Sequence, residues 1–529
     1  MHHCGFFIIM KILIKNGKIR IRKGIFVDTI GFDSISGKII YVGSYLNADH
    51  KSYNEIIDLS KKLVISAFHD GHCHLMKGAK MNAELDLRDA TTAAEFKKRI
   101  AKYKLRLKPD EWIVGGYFSE SNFKESFVVN RSFLDTICPD VPVALSRTDL
   151  HSVILNSKAI ELTGIESMKN TFRNEELIYY DNRTFSGECK ERAMYYVFDR
   201  LPGKSDSELS KILNDEIEKL LSYGIGSVTD ISLSEDLKIY ENYFQTYNKP
   251  FRINSVLPFE YFEKRDLYNE IFKNYSDNIY FRTFKAFYDG SLSSMTALFY
   301  ENYKNTNFNG IRSVFVESGE FEKYLYTIDN SNFQVAIHCI GDKAVGEILN
   351  FYESLEKING VKDRRFRIEH AQHIALQDIP RFAGKDIIIS AQPAHLSFDA
   401  STARNLLNDF SGTHIYKKLM NSGIRIVFGT DFPVVKENPF ENIFYAVTRK
   451  TKDFPEGFLP EYAFTLDDAI DSYTYHNAYA NFEEGNRGTL ELGKIADILV
   501  LEKDFYNLSY DELRENSVNM LFLSGKRVL

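Results

Sequence analysis

Eight apolar runs of strand length, each closing on polar residues, recur through the middle of the chain: VISAFHDGHCH (64–74), IGSVTDI (225–231), RINSVLP (252–258), FRTFKAFYDG (281–290), FQVAIHCIGD (333–342), RFRIEHAQH (365–373), IIISAQP (387–393) and IRIVFGTD (424–431). Helical stretches lie between them. DSELSKILNDEIEKLLSYG (206–224) and KAVGEILNFYESLEKI (343–358) carry apolar residues at three- and four-residue spacing, and Asp206 or Ser207 is placed to cap the first. Apolar strands alternating with helices predict βαβ units and a parallel sheet. Eight of them, with polar strand ends, predict an α/β chain folded as a (β/α)8 TIM barrel whose site lies at the carboxyl ends of the strands.

The two ends of the chain have a different texture. KILIKNG, KIRIRKG, KIIYVGS and KLVISAF, between 10 and about 65, are short alternating segments divided by Gly, Asn and Asp, and ADILVLEKD (496–504) and VNMLFLSGKRVL (518–529) repeat the pattern. Ends that share one style and flank another middle predict one discontinuous small β-sandwich from 1–65 and 480–529, around a barrel domain spanning 66–479. Residues 75–205 are too many for one barrel loop, which predicts an insertion or lid after strand one.

The chain of 529 residues has room for a sizeable core, and 44% apolar with 26% charged residues is globular composition that excludes a disordered or fibrous chain. Lys and Arg number 66 against 73 Asp and Glu, a net charge of −7 with no basic block, which argues against nucleic acid as a partner. Cys4, Cys73, Cys138, Cys189 and Cys339 are odd in number and form no CxxC, so neither a disulfide framework nor a cysteine zinc knuckle is expected, and a reducing, cytoplasmic setting fits. CGFFIIM (4–10) is too short to span a membrane, and residues 1–9 read as an over-long start or an extra strand before Met10. The expected partner is a small-molecule substrate; a homo-oligomer stays open.

His72 and His74 stand two apart at the end of the first run, so both side chains fall on one side of the strand, here the barrel interior. Two neighbouring imidazoles suit a divalent metal. An HxH pair arises by chance and a buried His is often only a hydrogen-bonded core residue, but His338, His370 and Asp431 close strands five, six and eight in the same relative place. Independent core residues have no reason to share that placement, so the constellation is read as a metal site.

The set HxH, Lys, His, His, Asp on successive strands resembles the amidohydrolase superfamily. FHDGHCHL, KAFYDGSLSSMTALFY, AIHCIGDKAV, RIEHAQH, GTDFPV and GTLELGKIADILVLEKD resemble its branch containing N-substituted formamide deformylase and D-aminoacylase relatives. The likeness extends into the insertion at EWIVGGYF (111–118), RTDLHSVILNSKAI (147–160) and SGECKERA (186–193). It implies that His72 and His74 bind one divalent ion, that His338 and His370 bind a second, and that Lys285 bridges them as a carbamate made with CO2. It further implies that Asp431 ligates the first ion and shuttles the proton. Zinc is the metal expected for an imidazole-rich shell, and a carbamate offers two anionic oxygens where a free amine offers none. The bland alternative for Lys285 is a buried lysine paired with Asp289 or Asp230. The chain departs from the family at Ser66 and Ala67, where Pro-Gly is usual. His151 in RTDLHS is expected at the substrate or its oxyanion, with Asp149 and Glu191 adding polarity, and His373 and His395 are expected to support the ligands.

The function implied is a metal-dependent amidohydrolase that uses a metal-bridging hydroxide to cleave a carbon–nitrogen bond, other than a peptide bond, in a small amide, formamide or N-acyl compound. Two alternatives share the fold: the same centre hydrolysing an ester, lactone or aminated ring, and a non-catalytic binding protein.

Overall fold

The computed structural model describes residues 10–148, 151–180, 183–275 and 277–529. They fall into two compact units, Met1–Leu75 with Ile217–Leu529, and Met76–Glu216.

The first unit is built on an eight-stranded parallel sheet of β1 (Phe68–Cys73), β2 (Ile225–Ile231), β3 (Arg252–Pro258), β4 (Ile279–Phe287), β5 (Gln334–Cys339), β6 (Phe366–His370), β7 (Ile387–Ala391) and β8 (Arg425–Phe428), hydrogen-bonded in that order. All eight expected strands are present, and the fold is a TIM-barrel-like α/β fold. One boundary differs. The run read as a single strand from 64 is two: Leu63–Ser66 belongs to another sheet, and the break falls at Ala67, whose N–H goes to Asp497 O at 3.0 Å. The helix expected over 206–224 runs Asp206–Ser222, and its cap is Ser205, whose hydroxyl accepts from Glu208 N while Glu208 returns a bond to Ser205 N. That reciprocal pair is a capping box, which the reading of Asp206 or Ser207 as the cap missed by one position.

Past the end of β8, Phe432 bridges Cys73 of β1, and backbone and side-chain bonds together stitch the seam. Asp70 accepts from Thr430 N at 3.0 Å and Thr430 Oγ1 at 2.5 Å, Asp431 N donates to His72 O at 2.6 Å, and Asn477 donates to His69 O and Phe428 O. The strands approach so closely that a Cβ on Gly429 would lie 2.3 Å from His72 N. Only glycine fits there.

The terminal segments form two further sheets in this unit. One has the order Lys38–Gly43, Thr29–Asp33, Lys11–Lys15, Glu55–Asp58; the other runs Lys526–Arg527, Val518–Leu523, Ile498–Leu501, Leu63–Ser66, Lys18–Arg22, Ile25–Val27. The two ends of the chain therefore pair directly, with Leu499 opposite Ile65 in an antiparallel ladder. Ile12, Ile30 and Phe32 from the first sheet and Ile19, Val64, Ile498, Val500 and Phe522 from the second bury into one apolar cluster. Each such side chain contributes about 1.5–3 kcal/mol on burial.

The second unit, Met76–Glu216, carries its own six-stranded sheet in the order Leu177–Tyr180, Thr184–Lys190, Ser152–Leu155, Val143–Arg147, Ile113–Phe118, Leu85–Asp86. Its cores are built on Phe96, Phe118 and Leu145 on one side and Val153, Phe185 and Cys189 on the other. This unit ends at Glu216, within the Asp206–Ser222 helix.

Candidate metal centre

The barrel gathers the expected ligands. His74 Nε2 lies 3.2 Å and His72 Nε2 3.5 Å from Asp431 Oδ1, and Lys285 Nζ from β4 lies 3.3 Å from His72 Nε2. The His370 ring sits 4.9 Å from that of His72 and 4.6 Å from that of His338. Two sets of donor atoms converge within 4.8 Å, His72 with His74 and Asp431, and His370 with His395 and Asp431, so Asp431 is common to both. His370 and Asp431 have φ of +72° and +56°. Left-handed backbone at residues other than glycine costs on the order of 1–3 kcal/mol each and concentrates at functional sites.

One ring nitrogen is tied down in each of three candidate histidines. His72 Nδ1–H donates to Glu369 Oε2 at 2.5 Å, His370 Nδ1–H to Gln392 Oε1 at 2.8 Å, and His338 Nε2–H to Gly290 O at 3.2 Å. Each bond fixes the tautomer and leaves the opposite nitrogen with its lone pair, Nε2 of His72 and His370 and Nδ1 of His338. That Nδ1 is buried and has no hydrogen-bond partner among the described residues. Glu369 is itself held by Arg367, which reaches on to Gly71 O.

Burial sets the charge states. It lowers His72 to about 4 against the pull of Glu369, lowers His338 to about 3, and carries His370 well below the usual imidazole range, so these rings are neutral at pH 7. Burial also lowers Lys285, opposed by Asp431 and Glu369. It would raise Asp431, but the carboxylate lies well below its usual range, the hydrogen bond from His74 leading the causes that oppose burial. Neutral imidazoles, an ionised carboxylate and a depressed lysine in one buried cluster are a donor set that fits divalent metal. The alternative partners for Lys285 are committed elsewhere: Asp289 accepts from Leu298 N, Ile340 N and Gly341 N, and Asp230 accepts from Leu75 N, Ser232 and Tyr240.

The weaker expectations fare unequally. His395 is brought to the centre, with Nε2 3.9 Å from Asp431 Oδ2. His373 is not: its Nδ1 bonds Thr413 Oγ1 at 3.0 Å, its ring packs edge-on to Phe299, and it lines a separate cavity of about 390 Å³. His151 and Glu191 lie in the Met76–Glu216 unit, both exposed, with His151 Nδ1 3.1 Å from Glu191 Oε1. Asp149 lies outside the described residues. Glu369, Gln392, Gln372 and Asp70 were not anticipated. Arg367 and Glu369 alternate with Phe366 and Ile368 along a wholly buried strand, and a charge pair in a strand buried on both faces was the available signal.

A parallel eight-stranded barrel-like sheet that carries its imidazoles, lysine and aspartate at the strand carboxyl ends is the architecture of the amidohydrolases. The chain belongs to the amidohydrolase family, whose model matches residues 55–529. It is 30% identical over 515 residues to protein LONG AFTER FAR-RED 3 of Arabidopsis thaliana, covering 93% of this chain and 87% of that one. It is 23% identical over 492 residues to the N-substituted formamide deformylase of Arthrobacter pascens, with 89% of each covered. A solved structure of an uncharacterized metal-dependent hydrolase from Pyrococcus horikoshii OT3 shares the fold, with a TM-score of 0.76 at 24% identity over 95% of this chain and 99% of that one.

Proposed function

We propose that the protein is a hydrolase, dependent on two divalent ions, that cleaves a carbon–nitrogen bond other than a peptide bond in a small amide, formamide or N-acyl compound. The observation that carries this reading is the convergence of His72, His74, His370 and Asp431, with the buried Lys285 at 3.3 Å from His72 and the Nδ1 atoms of His72 and His370 already tied. The formamide deformylase among its relatives supports the substrate class, and the Pyrococcus hydrolase supports metal use.

On this reading His72 and His74 would hold one zinc ion, His338 and His370 a second, and Lys285, as its carbamate, would supply them with anionic oxygens. The amine adds to CO2 and releases a proton, a reaction of the neutral amine that burial of Lys285 favours. Bound there, the ions lower the pKa of water to near neutrality and polarise the substrate carbonyl. Asp431 takes the proton of the attacking water and delivers it to the leaving nitrogen, and the ionised state of its carboxylate suits it to begin as the base. Glu369 and Gln392 keep the His72 and His370 rings aimed inward. His151, with Glu191 beside it, remains a hypothesis for substrate contact, tested by His151→Ala kinetics. The two terminal sheets are read as one discontinuous β-sandwich with a structural role, and the chain as a cytoplasmic protein; no described helix is long and apolar enough to cross a membrane.

The deciding experiment measures metal content of the purified chain by elemental analysis, together with turnover of N-formyl amines, N-acyl amino acids, cyclic amides, esters and lactones. About two ions per chain and hydrolysis of an amide are expected. No metal after reconstitution sinks the reading, and turnover confined to esters or lactones redirects it.

A further inference from the structure

His370, ending β6, and His395, just beyond β7, face one another across the candidate centre with rings 18° from parallel and centroids 6.3 Å apart. Each uses Nδ1 to meet a glutamine, but at opposite ends of the amide. Gln392 presents Oε1 to His370 at 2.8 Å, and its Nε2 donates to Ser390 O, which fixes the orientation of that amide. Gln372 presents Nε2 to His395 Nδ1 at 3.2 Å. An amide oxygen only accepts and an amide NH2 only donates. His370 must therefore carry its proton on Nδ1 and leave Nε2 bare, whereas His395 accepts at Nδ1 and carries its proton on Nε2.

The two histidines are thus set in inverse tautomers by two glutamines, and the difference assigns them different work. A bare Nε2 is a metal donor; a protonated one is not. His395 Nε2 is buried, has no hydrogen-bond partner among the described residues, and lies 3.9 Å from Asp431 Oδ2, beyond hydrogen-bond range. A buried N–H donor without a partner is costly unless something accepts from it, and it points toward the carboxylate about which the other donors gather.

We propose that His395 is not a ligand but a hydrogen-bond donor to the substrate, its Nε2–H meeting the carbonyl oxygen as that oxygen gains negative charge, with Gln372 as the positioning residue that holds the tautomer. No bond to His395 forms or breaks. The inference rests on the hydrolase reading above and adds to it a donor that acts on the acyl oxygen. Removing one donor of this kind costs about 10²–10³ in kcat.

The test uses the full-length, zinc-loaded chain and three variants, His395→Ala, His395→Gln and Gln372→Glu. It reads zinc content, imidazole ¹⁵N resonances and kinetics on the best amide found for the wild type. Wild-type His395 is expected to be protonated at Nε2. His395→Ala is expected to keep its zinc while kcat falls about 10²–10³-fold, and His395→Gln, which retains an N–H donor, to recover at least about tenfold of that loss. Gln372→Glu should draw the proton to Nδ1 and lower kcat with the His395 side chain intact. Loss of zinc from His395→Ala, wild-type protonation at Nδ1, or unchanged kcat in an amide-hydrolysing, zinc-bound background overturns the inference alone. A wild-type chain that neither binds zinc nor turns over an amide overturns the hydrolase reading and the inference together.

Discussion

The imidazole of His72 and the carboxylate of Glu369 are joined by a 2.5 Å hydrogen bond, wholly buried, and the same carboxylate takes a 2.7 Å bond from Arg367. Burial alone would raise Glu369; Arg367 and His72 overcome it and hold the carboxyl well below its usual range. The candidate centre therefore stands on a buried charge pair that fixes one of its ligands.

Replacing Glu369 separates these two duties. Glu369→Gln keeps the shape but weakens the acceptor for His72, and zinc affinity measured by competition with a chelator is expected to fall about 10–100-fold. Glu369→Ala strands Arg367 as an uncompensated buried cation, and should cost on the order of 3–5 kcal/mol in denaturant unfolding as well. Unchanged affinity in Glu369→Gln would mean that the bond does not tune the ligand.

Lys285→Ala is expected to lose activity and metal occupancy, with partial recovery when a short carboxylic acid and bicarbonate are supplied. Lys285→Arg should not recover, because a guanidinium stays cationic and forms no carbamate. Full turnover with both ions bound in Lys285→Arg would exclude the bridge.

Asp431→Asn keeps an oxygen near the histidines but removes the base. Most of the metal should remain while kcat falls by at least about two orders of magnitude, with a changed acidic limb in the pH–rate profile. Near-normal kcat with metal bound would pass the proton transfer to another group.

The pairing of Arg252 with Asp497 gives a pH-dependent stability. The two form bonds of 2.9 and 3.0 Å, and although burial raises Asp497, Arg252, Arg487 and the Ser524 N–H bring it below its ordinary value. A depressed folded pKa means stabilisation that is present above the unfolded value, about 3.9, and lost as pH falls through the folded one. Asp497→Asn should destabilise strongly at pH 7, and its deficit against wild type should shrink as denaturant titrations move below about pH 4. A deficit that stays constant with pH would remove the carboxylate from the account.

Deleting residues 496–529 takes Ile498, Val500 and Phe522 from the terminal cluster and leaves the Leu63–Ser66 strand without its antiparallel partner. An open apolar edge favours aggregation, so the truncated chain should be insoluble or elute as soluble aggregate on gel filtration. A monodisperse and active truncation would show the terminal sheets to be dispensable.

Much of the fold was legible because barrel strands announce themselves as apolar runs with polar ends, and the places of His72, His74, His338, His370 and Asp431 at or beside those ends could be read from position alone. Ala67 was not legible as a break, since buried strand residues run up to it on both sides and only a change of partner sheet separates them. The roles of Gln372 and Gln392 depend on which end of an amide faces a ring, which no residue string encodes. His373 misled because it follows His370 so closely in sequence. The left-handed turn at His370 and Ala371 breaks the alternation that such proximity assumes.

The seam between β8 and β1 gives the centre a property in time as well as in space. His72 and Asp431 come from the first and last strands of the barrel, and they become neighbours only when Asp70 has caught Thr430 and Gly429 has slid beneath His72. On the proposed reading, a chain still lacking its final strand holds the histidines of the set without Asp431. An ion bound there on that reading would favour the closed ring over any opened form by RT ln(1 + [ion]/Kd), a clasp as well as a reagent. Chelation should therefore raise hydrogen exchange first along β1 and β8, before the strands on the far side of the barrel respond.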